Sequence, residues 1–133
     1  MSAGELLQAA FRAALEAHVP LAGTVTAIFD APPARGLRPY ALVEEAMLTD
    51  WSTKDMAGRE ARIAVTLFDS GERPARLRGL ASEVDAAIEA MPRAIGKGWR
   101  IVSLAFARGR VLRDGEGRWA SVSEYRVRMF REN

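Results

Sequence analysis

The spacing of apolar and polar residues along the chain predicts two amphipathic helices. Apolar residues recur every three or four positions over residues 5–18 and again over residues 73–91, which is the period of a helix with one buried face. Pro20 follows the first pattern, and Pro74 and Pro92 stand at the two ends of the second. Because proline is tolerated in a first helical turn but not in a helix interior, these residues set the expected helix ends.

Five other segments have the composition and alternation of β-strands. The clearest one places Ala61, Ile63, Val65 and Leu67 on one side of the backbone, a period of two. Strands are expected over residues 24–29, 40–49, 60–68, 99–112 and 118–130. The order is helix, three strands, helix, two strands, which predicts an α+β fold in a single domain, residues 1–133. We expect an antiparallel β-sheet with two main helices packed on one face.

The last third of the chain reads as one long hairpin around residues 114–117. A turn centred on Gly115 and Glu116 would oppose residues whose numbers have a constant sum. The predicted pairs are Leu112 with Trp119, Phe106 with Tyr125, Leu104 with Val127, and Val102 with Met129. The other face of this hairpin would then carry Ser103, Ala105, Glu124, Arg126 and Arg128.

The composition excludes most kinds of catalytic and metal-binding site. The chain has one histidine and no cysteine, so most nucleophilic triads and imidazole or thiolate metal sites are excluded. His18 is expected to lie at the end of the first helix as a capping residue. Asp50 and Asp55 are two loop carboxylates that are expected to be solvated rather than to hold Mg²⁺. We predict no catalytic, cofactor-binding or metal-binding residue and no cofactor, and the protein is not expected to be an enzyme.

The charge pattern adds one candidate surface. Arg126, Arg128 and Arg131 follow one another near the C-terminus and could form a basic stripe that contacts phosphates or faces a channel. They could equally pair across strands with Glu124 or Glu132. The net charge of only +2 favours the second reading, and a small nucleic-acid-binding or regulatory module using the arginine stripe is kept as the alternative function. No apolar run reaches the roughly 20 residues of a membrane span, so no membrane partner is expected.

Several segments together resemble a known family over about residues 5–130. The resemblance is carried by the strand and turn Val25–Pro33, by Pro39-Tyr40, by Trp51–Lys54 with Gly58-Arg59, by Phe68-Asp69, by Leu80-Ala81 with Val84–Ile88, and by Val111–Gly115. They are similar to the tail-completion, or tail-terminator, proteins of long non-contractile-tailed phages and of phage-like gene transfer agents.

This resemblance implies a structural virion protein that is made in the bacterial cytoplasm and located at the head-proximal end of the tail. It implies a homohexameric ring that ends tail-tube polymerisation and joins the tail to the head. The partners would be other copies of the chain, the tail tube protein and the head connector or stopper protein. The resemblance leaves open the transient passage of DNA through the ring, and also equivalence with a neighbouring head-tail joining protein.

A ring subunit needs surfaces that contact its neighbours, and the polar connection between residues 50 and 60 is our candidate for one of them. It is longer than a tight hairpin requires. The residues of this predicted subunit or tube interface arm are Trp51, Ser52, Thr53, Lys54, Gly58, Arg59 and Glu60. A surface loop without a partner is the alternative.

Overall fold

The computed structural model describes residues 1–132 and has the predicted α+β class. Its helices are Ala3–Ala17 (α1), Val19–Ala22 (α2) and Ala75–Glu89 (α3). Its strands are Ile28–Phe29 (β1), Tyr40–Val43 (β2), Met47–Asp50 (β3), Gly58–Ser70 (β4), Ala94–Gly96 (β5), Trp99–Arg113 (β6) and Arg118–Arg131 (β7). One sheet runs in the order β1-β2-β4-β7-β6-β5, and β3 pairs with β4 beside β2. The long helices α1 and α3 pack on one face of it.

Helix α1 begins where its sequence provides a capping box. The Ser2 hydroxyl accepts a hydrogen bond from the Glu5 backbone N–H at 3.2 Å, and the Glu5 carboxylate accepts one from the Ser2 backbone N–H at 3.3 Å. The helix ends at the cap residue His18, whose N–H donates to the Leu15 carbonyl at 3.2 Å. The predicted capping position of His18 is confirmed. Pro20 lies in the first turn of α2.

The core forms between the two long helices and the alternating residues of the sheet. Strand β4 turns Ala61, Ile63, Val65 and Leu67 inward, each at most 1% exposed. Helix α1 contributes Leu6, Leu7, Phe11 and Leu15, and α3 contributes Leu77, Leu80, Val84, Ala87 and Ile88. The predicted helical and period-two faces are therefore the ones that pack together.

The first strand differs from the prediction in length and direction. It covers Ile28–Phe29 only, because the N–H groups of Thr24 and Val25 both donate to the Leu21 carbonyl and so continue the turn of α2. It also pairs parallel to β2, since residues 30–39 carry the chain back before β2 begins. The sheet is consequently mixed, with every other pair of strands antiparallel.

The second predicted strand is broken into β2 and β3. Val43 opposes Val65, whereas Met47 opposes Arg62, so three residues of one segment span the same distance as two residues of β4. This one-residue bulge shifts the alternation. Met47 therefore shares the helix-free face of the sheet with Arg62.

The long hairpin of β6 and β7 confirms half of the predicted pairs. Phe106 opposes Tyr125 and Leu104 opposes Val127, as expected. The two outer pairs are wrong, since Leu112 opposes Ala120 and Ile101, not Val102, opposes Met129. The reason is a pair of irregularities in β6, between Ile101 and Ser103 and between Phe106 and Arg108. Each adds one residue, and a constant-sum register cannot predict such an insertion.

A buried carboxylate ties the end of β4 to the start of α3. The Asp69 carboxylate accepts hydrogen bonds from Arg76 Nε at 2.9 Å and Nη2 at 2.6 Å, and from the Ser70 N–H at 2.8 Å. The hydrogen bonds from Arg76 hold the pKa of Asp69 below its ordinary value, and the nearby Arg38 charge adds to this.

This lowered pKa predicts a loss of stability in acid. The contribution of Asp69 to the free energy of unfolding should be fully present above its unfolded pKa of about 3.9 and should disappear as pH falls through the lower folded value. Urea unfolding between about pH 2 and 7 should show it. In Asp69→Asn the acid-side slope should be shallower than in the wild type, and an unchanged slope would exclude Asp69 as its source.

Candidate assembly surfaces

The predicted interface arm is a short loop closed on itself. Strand pairing continues to Asp50 opposite Arg59, so Gly58, Arg59 and Glu60 are strand residues, and the loop covers only residues 51–57. The Trp51 N–H donates to the Gly58 carbonyl at 3.0 Å and the Thr53 N–H to the Met56 carbonyl at 2.9 Å. The connection is shorter than the run of polar residues indicated, because the polar residues Arg59 and Glu60 belong to the strand pair of β3 and β4.

Ser52 fixes the base of this loop. Its hydroxyl accepts a hydrogen bond from the Gly58 N–H at 2.9 Å and donates one to Asp50 Oδ1 at 2.6 Å. Arg59 Nη1 lies 3.3 Å from the same carboxylate oxygen. The hydrogen bond from Ser52 lowers the pKa of Asp50, and the Arg59 charge adds to this effect. Asp50 is therefore held as a structural acceptor of the hairpin.

Aromatic stacking attaches the loop to the neighbouring strand β7. The Trp51 ring stacks on Phe130 with centroids 4.7 Å apart and planes inclined by 26°, and the Arg128 guanidinium lies 5.3 Å from the Trp51 ring centre. Gly58 is buried beneath them, and a Cβ there would lie 2.4 Å from the Trp51 carbonyl oxygen. These contacts hold the base of the loop, and the tip formed by Thr53, Lys54, Asp55 and Met56 is exposed.

The structure separates the three arginines of the predicted stripe. Arg126 and Arg128 stand two residues apart on β7 and share the helix-free face. Arg131 is three residues beyond Arg128, opposite the core residue Trp99, so it belongs to the other face. Of the predicted stripe, only Arg126 and Arg128 therefore lie together on one face of the sheet, and Arg131 lies on the other.

Neighbouring strands extend this pair into a wider surface, which we call the basic face. Register places Arg62 of β4 opposite Arg126, and Arg108 of β6 opposite Glu124. The members of the basic face are Arg62, Arg108, Arg110, Arg126 and Arg128. Arg62, Arg108 and Arg110 were not predicted to belong to this surface, because only the pairing of the strands brings them beside Arg126 and Arg128.

Two glutamates partly neutralise the basic face. Glu60 Oε2 accepts a hydrogen bond from Arg128 Nε at 2.7 Å, and Glu124 lies 3.1 Å from Arg62 and 3.5 Å from Arg108. The hydrogen bond from Arg128 lowers the pKa of Glu60, and the charges of Arg128, Arg126 and Arg62 act in the same direction. Because five arginines meet two glutamates, the face keeps an excess of positive charge that suits an anionic partner.

In the part of the chain that the structure describes, besides the short end strands β1 and β5, two strands of the sheet have a side without a strand partner. Strand β5 covers β6 only at Trp99 and Arg100, and within residues 1–132 no strand pairs with the outer side of β6 from Val102 to Arg113. We call this stretch the β6 edge. Strand β3, residues 47–50, is paired with β4 on one side only, and we call its other side the β3 edge. Such edges are templates for added strands.

Two further contacts of titratable groups link α3 to the rest of the fold. His18 Nε2 lies 2.9 Å from Glu83 Oε2 and so links the end of α1 to α3. The Tyr125 hydroxyl donates to Asp85, and burial together with this hydrogen bond raises the pKa of Tyr125. Within residues 1–132, no three His, Asp or Glu side chains form a metal-ligand group. Over the same range, the helices fall short of the length and apolar character that crossing a membrane requires.

A family model described as tail completion protein gp17 matches residues 9–129 of the chain. The chain belongs to the tail completion protein gp17 family. This tail completion protein is therefore a structural component of a virion tail. The resemblance stated from sequence is confirmed at the level of the family. No curated protein matches the chain by sequence.

Among solved structures, the tail completion protein is similar to a chain in a structure entitled "Virion of native gene transfer agent (GTA) particle". The two chains are 24% identical with a TM-score of 0.80, and the alignment covers 98% of this chain and 99% of that one. The likeness shows that the two chains share a fold from end to end.

Proposed function

We propose that this tail completion protein is a tail terminator. It forms a homohexameric ring at the head-proximal end of the tail tube, stops tube polymerisation and joins the tail to the head connector. The observation that carries the proposal is membership of the tail completion protein gp17 family across residues 9–129. The end-to-end fold likeness to a chain of a gene transfer agent virion supports it.

The surfaces of the chain suit a ring subunit. A closed ring is built from heterologous contacts, in which one surface of each copy meets a different surface of the next. The β3 edge and the β6 edge lie on opposite sides of one sheet, and the base of the 51–57 loop is held by Ser52 and by Trp51 stacking. A subunit with two unlike edges can join to copies of itself without a cofactor.

The proposed function is tested by removing the protein from particle assembly. Cells that make particles without it should release tails of variable or excessive length and heads without tails, and the wild-type gene should restore uniform particles. Negative-stain imaging measures tail length and head attachment, and mass measurement on purified tail ends gives the number of copies. Normal tails joined to heads in the absence of the protein would exclude a terminator role.

The basic face supports a second candidate, a small nucleic-acid-binding or regulatory module. Its excess of arginines would favour phosphates, and binding that depends on such contacts weakens as salt rises. Arg108→Ala combined with Arg110→Ala should then reduce duplex DNA binding by the isolated protein. The matched control is Arg73→Ala with Arg78→Ala, two exposed arginines at the start of α3. Salt-independent or undetectable binding by the wild type would remove this candidate.

The tip of the 51–57 loop is the part of the predicted arm that is free to contact the tube or a neighbouring subunit. Lys54→Glu should reduce the fraction of finished particles, because it reverses the only basic charge of the tip, while changing the free energy of unfolding by less than about 0.5 kcal/mol. Particle counts and urea unfolding measure the two effects. The control is Lys97→Glu, which makes the same charge change in the exposed turn before β6. Equal particle yields from both variants would remove the tip from the interface.

A further inference from the structure

We propose that copies of this chain join through their sheet edges, with the β3 edge of one copy pairing antiparallel with residues 108–113 of the β6 edge of the next. The inference rests on the ring of the proposed function and names the surfaces that would close it. The occupant of each edge is a second copy of the same chain.

Strand direction favours this pairing. Strands β3, β4, β7 and β6 stand side by side, and each is antiparallel to the next. A neighbour with the same orientation would present its β3 antiparallel to β6, so the alternation continues across the boundary. The helices of both copies then cover the same face of one continuous sheet.

The position of β1 and β2 fixes which part of β6 can be used. Both strands lie on the same side of β4 as β3 but towards its other end, level with residues 109–112 of β6. If a neighbouring copy were placed without displacement along the strands, its β1 would overlap the half of β6 that contains residues 109–112. Displacing it by six or seven residues, roughly 20 Å along the strands, clears that half for β3. Closed sheets accommodate such a stagger by tilting their strands.

One register matches faces and side chains at the same time. Leu48 opposes Ala61 on the helix-covered face, and Val111 opposes Ser121 on that same face. Placing Leu48 opposite Val111 puts Met47 opposite Leu112 on the helix-free face. Met47 is 74% exposed in the single chain, and Leu48 and Val111 are each 38% exposed. The pairing would remove all three from water, which is the main favourable term in most associations.

The charges of the two edges are complementary. Exposed arginines stand at 108, 110 and 113 on the β6 edge, and exposed carboxylates stand at 44, 45 and 50 beside the β3 edge. In the proposed register Asp50 opposes Gly109, which lies between Arg108 and Arg110, and Arg113 opposes Ala46, which is next to Glu45. Opposite charges on two facing edges favour their approach, whereas like charges oppose it. Two copies of the same edge therefore repel, and unlike edges attract.

Disulfide formation tests the register, since the chain has no cysteine of its own. Leu48→Cys with Val111→Cys should give covalent multimers when purified particles are oxidised, seen on non-reducing gels. The matched control, Leu48→Cys with Leu112→Cys, places the thiols on opposite faces and should stay monomeric. A bond within one chain is excluded, because the two edges are separated by β4 and β7, and a disulfide requires Cα atoms within about 7 Å.

Exchanging two charges gives a second test of the pairing. Glu45→Arg or Arg113→Glu alone should lower the yield of cross-linked multimers severalfold, and the two changes together should restore it. If mass measurement finds a ring in the particles while the Leu48–Val111 pair does not cross-link, the edge pairing is wrong and the ring stands. If no ring is found on wild-type tails, the proposed function itself fails.

Discussion

Phe11→Ala should lower the free energy of unfolding by about 3–5 kcal/mol, the usual cost of truncating a fully buried phenylalanine. Phe11 is 0% exposed and lies at the centre of α1. Its ring meets Tyr125 edge-on with centroids 5.7 Å apart, so the variant would lose both buried area and an aromatic contact between helix and sheet. Urea unfolding followed by circular dichroism measures the change.

Phe106→Ala is the matched control, because Phe106 contacts the same tyrosine from the neighbouring strand β6. Its ring is also edge-on to Tyr125, with centroids 5.8 Å apart, but the residue is 54% exposed. Its truncation should cost no more than about 1 kcal/mol, because little apolar area leaves the core. Equal losses from the two variants would show that burial by α1 is not what stabilises the Tyr125 site.

Gly58→Ala should cost about 1–3 kcal/mol through overpacking. The new Cβ would lie 2.4 Å from the Trp51 carbonyl oxygen and 3.0 Å from the Phe130 ring, and backbone is the harder of the two to move. The expected consequence is a displaced Trp51, seen as a change in tryptophan fluorescence together with a lower urea midpoint. The 51–57 loop would lose its fixed base, so particle yield should fall as well.

Gly79→Ala makes the same chemical change where there is room. Gly79 lies on the exposed side of α3 and has no heavy atom within 4 Å of a built Cβ. Alanine is favoured over glycine in a helix by about 0.5–1 kcal/mol, so this variant should be stabilised. Destabilisation by both variants would mean that the close approach at Gly58 is not the cause of its effect.

Hydrophobic periodicity was sufficient for the main elements because each has one buried face. The pattern in β4 that places Ile63 and Val65 on one side is the pattern that packs against α3. Periodicity and the prolines placed both ends of α1 and α3 to within a few residues. The central pairs of the long hairpin, such as Phe106 with Tyr125, followed from the expected position of the turn.

Periodicity could not reveal single-residue irregularities or tertiary pairing. The bulges of β6 each add one residue without an unusual residue type to mark them, and Ala94–Gly96 is a strand only because β6 lies beside it. The candidate surfaces had the same limit, since the sequence separates Arg62 from Arg126 by 64 positions and register alone brings them opposite each other. The role of the loop tip and of the basic face in assembly stays a prediction.

The bulge between β2 and β3 has a consequence for aligning distant relatives of this chain. Inward-facing residues are odd-numbered in β2, as at Ala41 and Val43, and even-numbered in β3, as at Leu48. An alignment guided by hydrophobic alternation would therefore slip by one position at residues 44–46 in any relative that lacks the extra residue. A gap is best placed there, because deleting one residue from 44–46 would remove the bulge and leave both β2 and β3 paired with β4 as they are now.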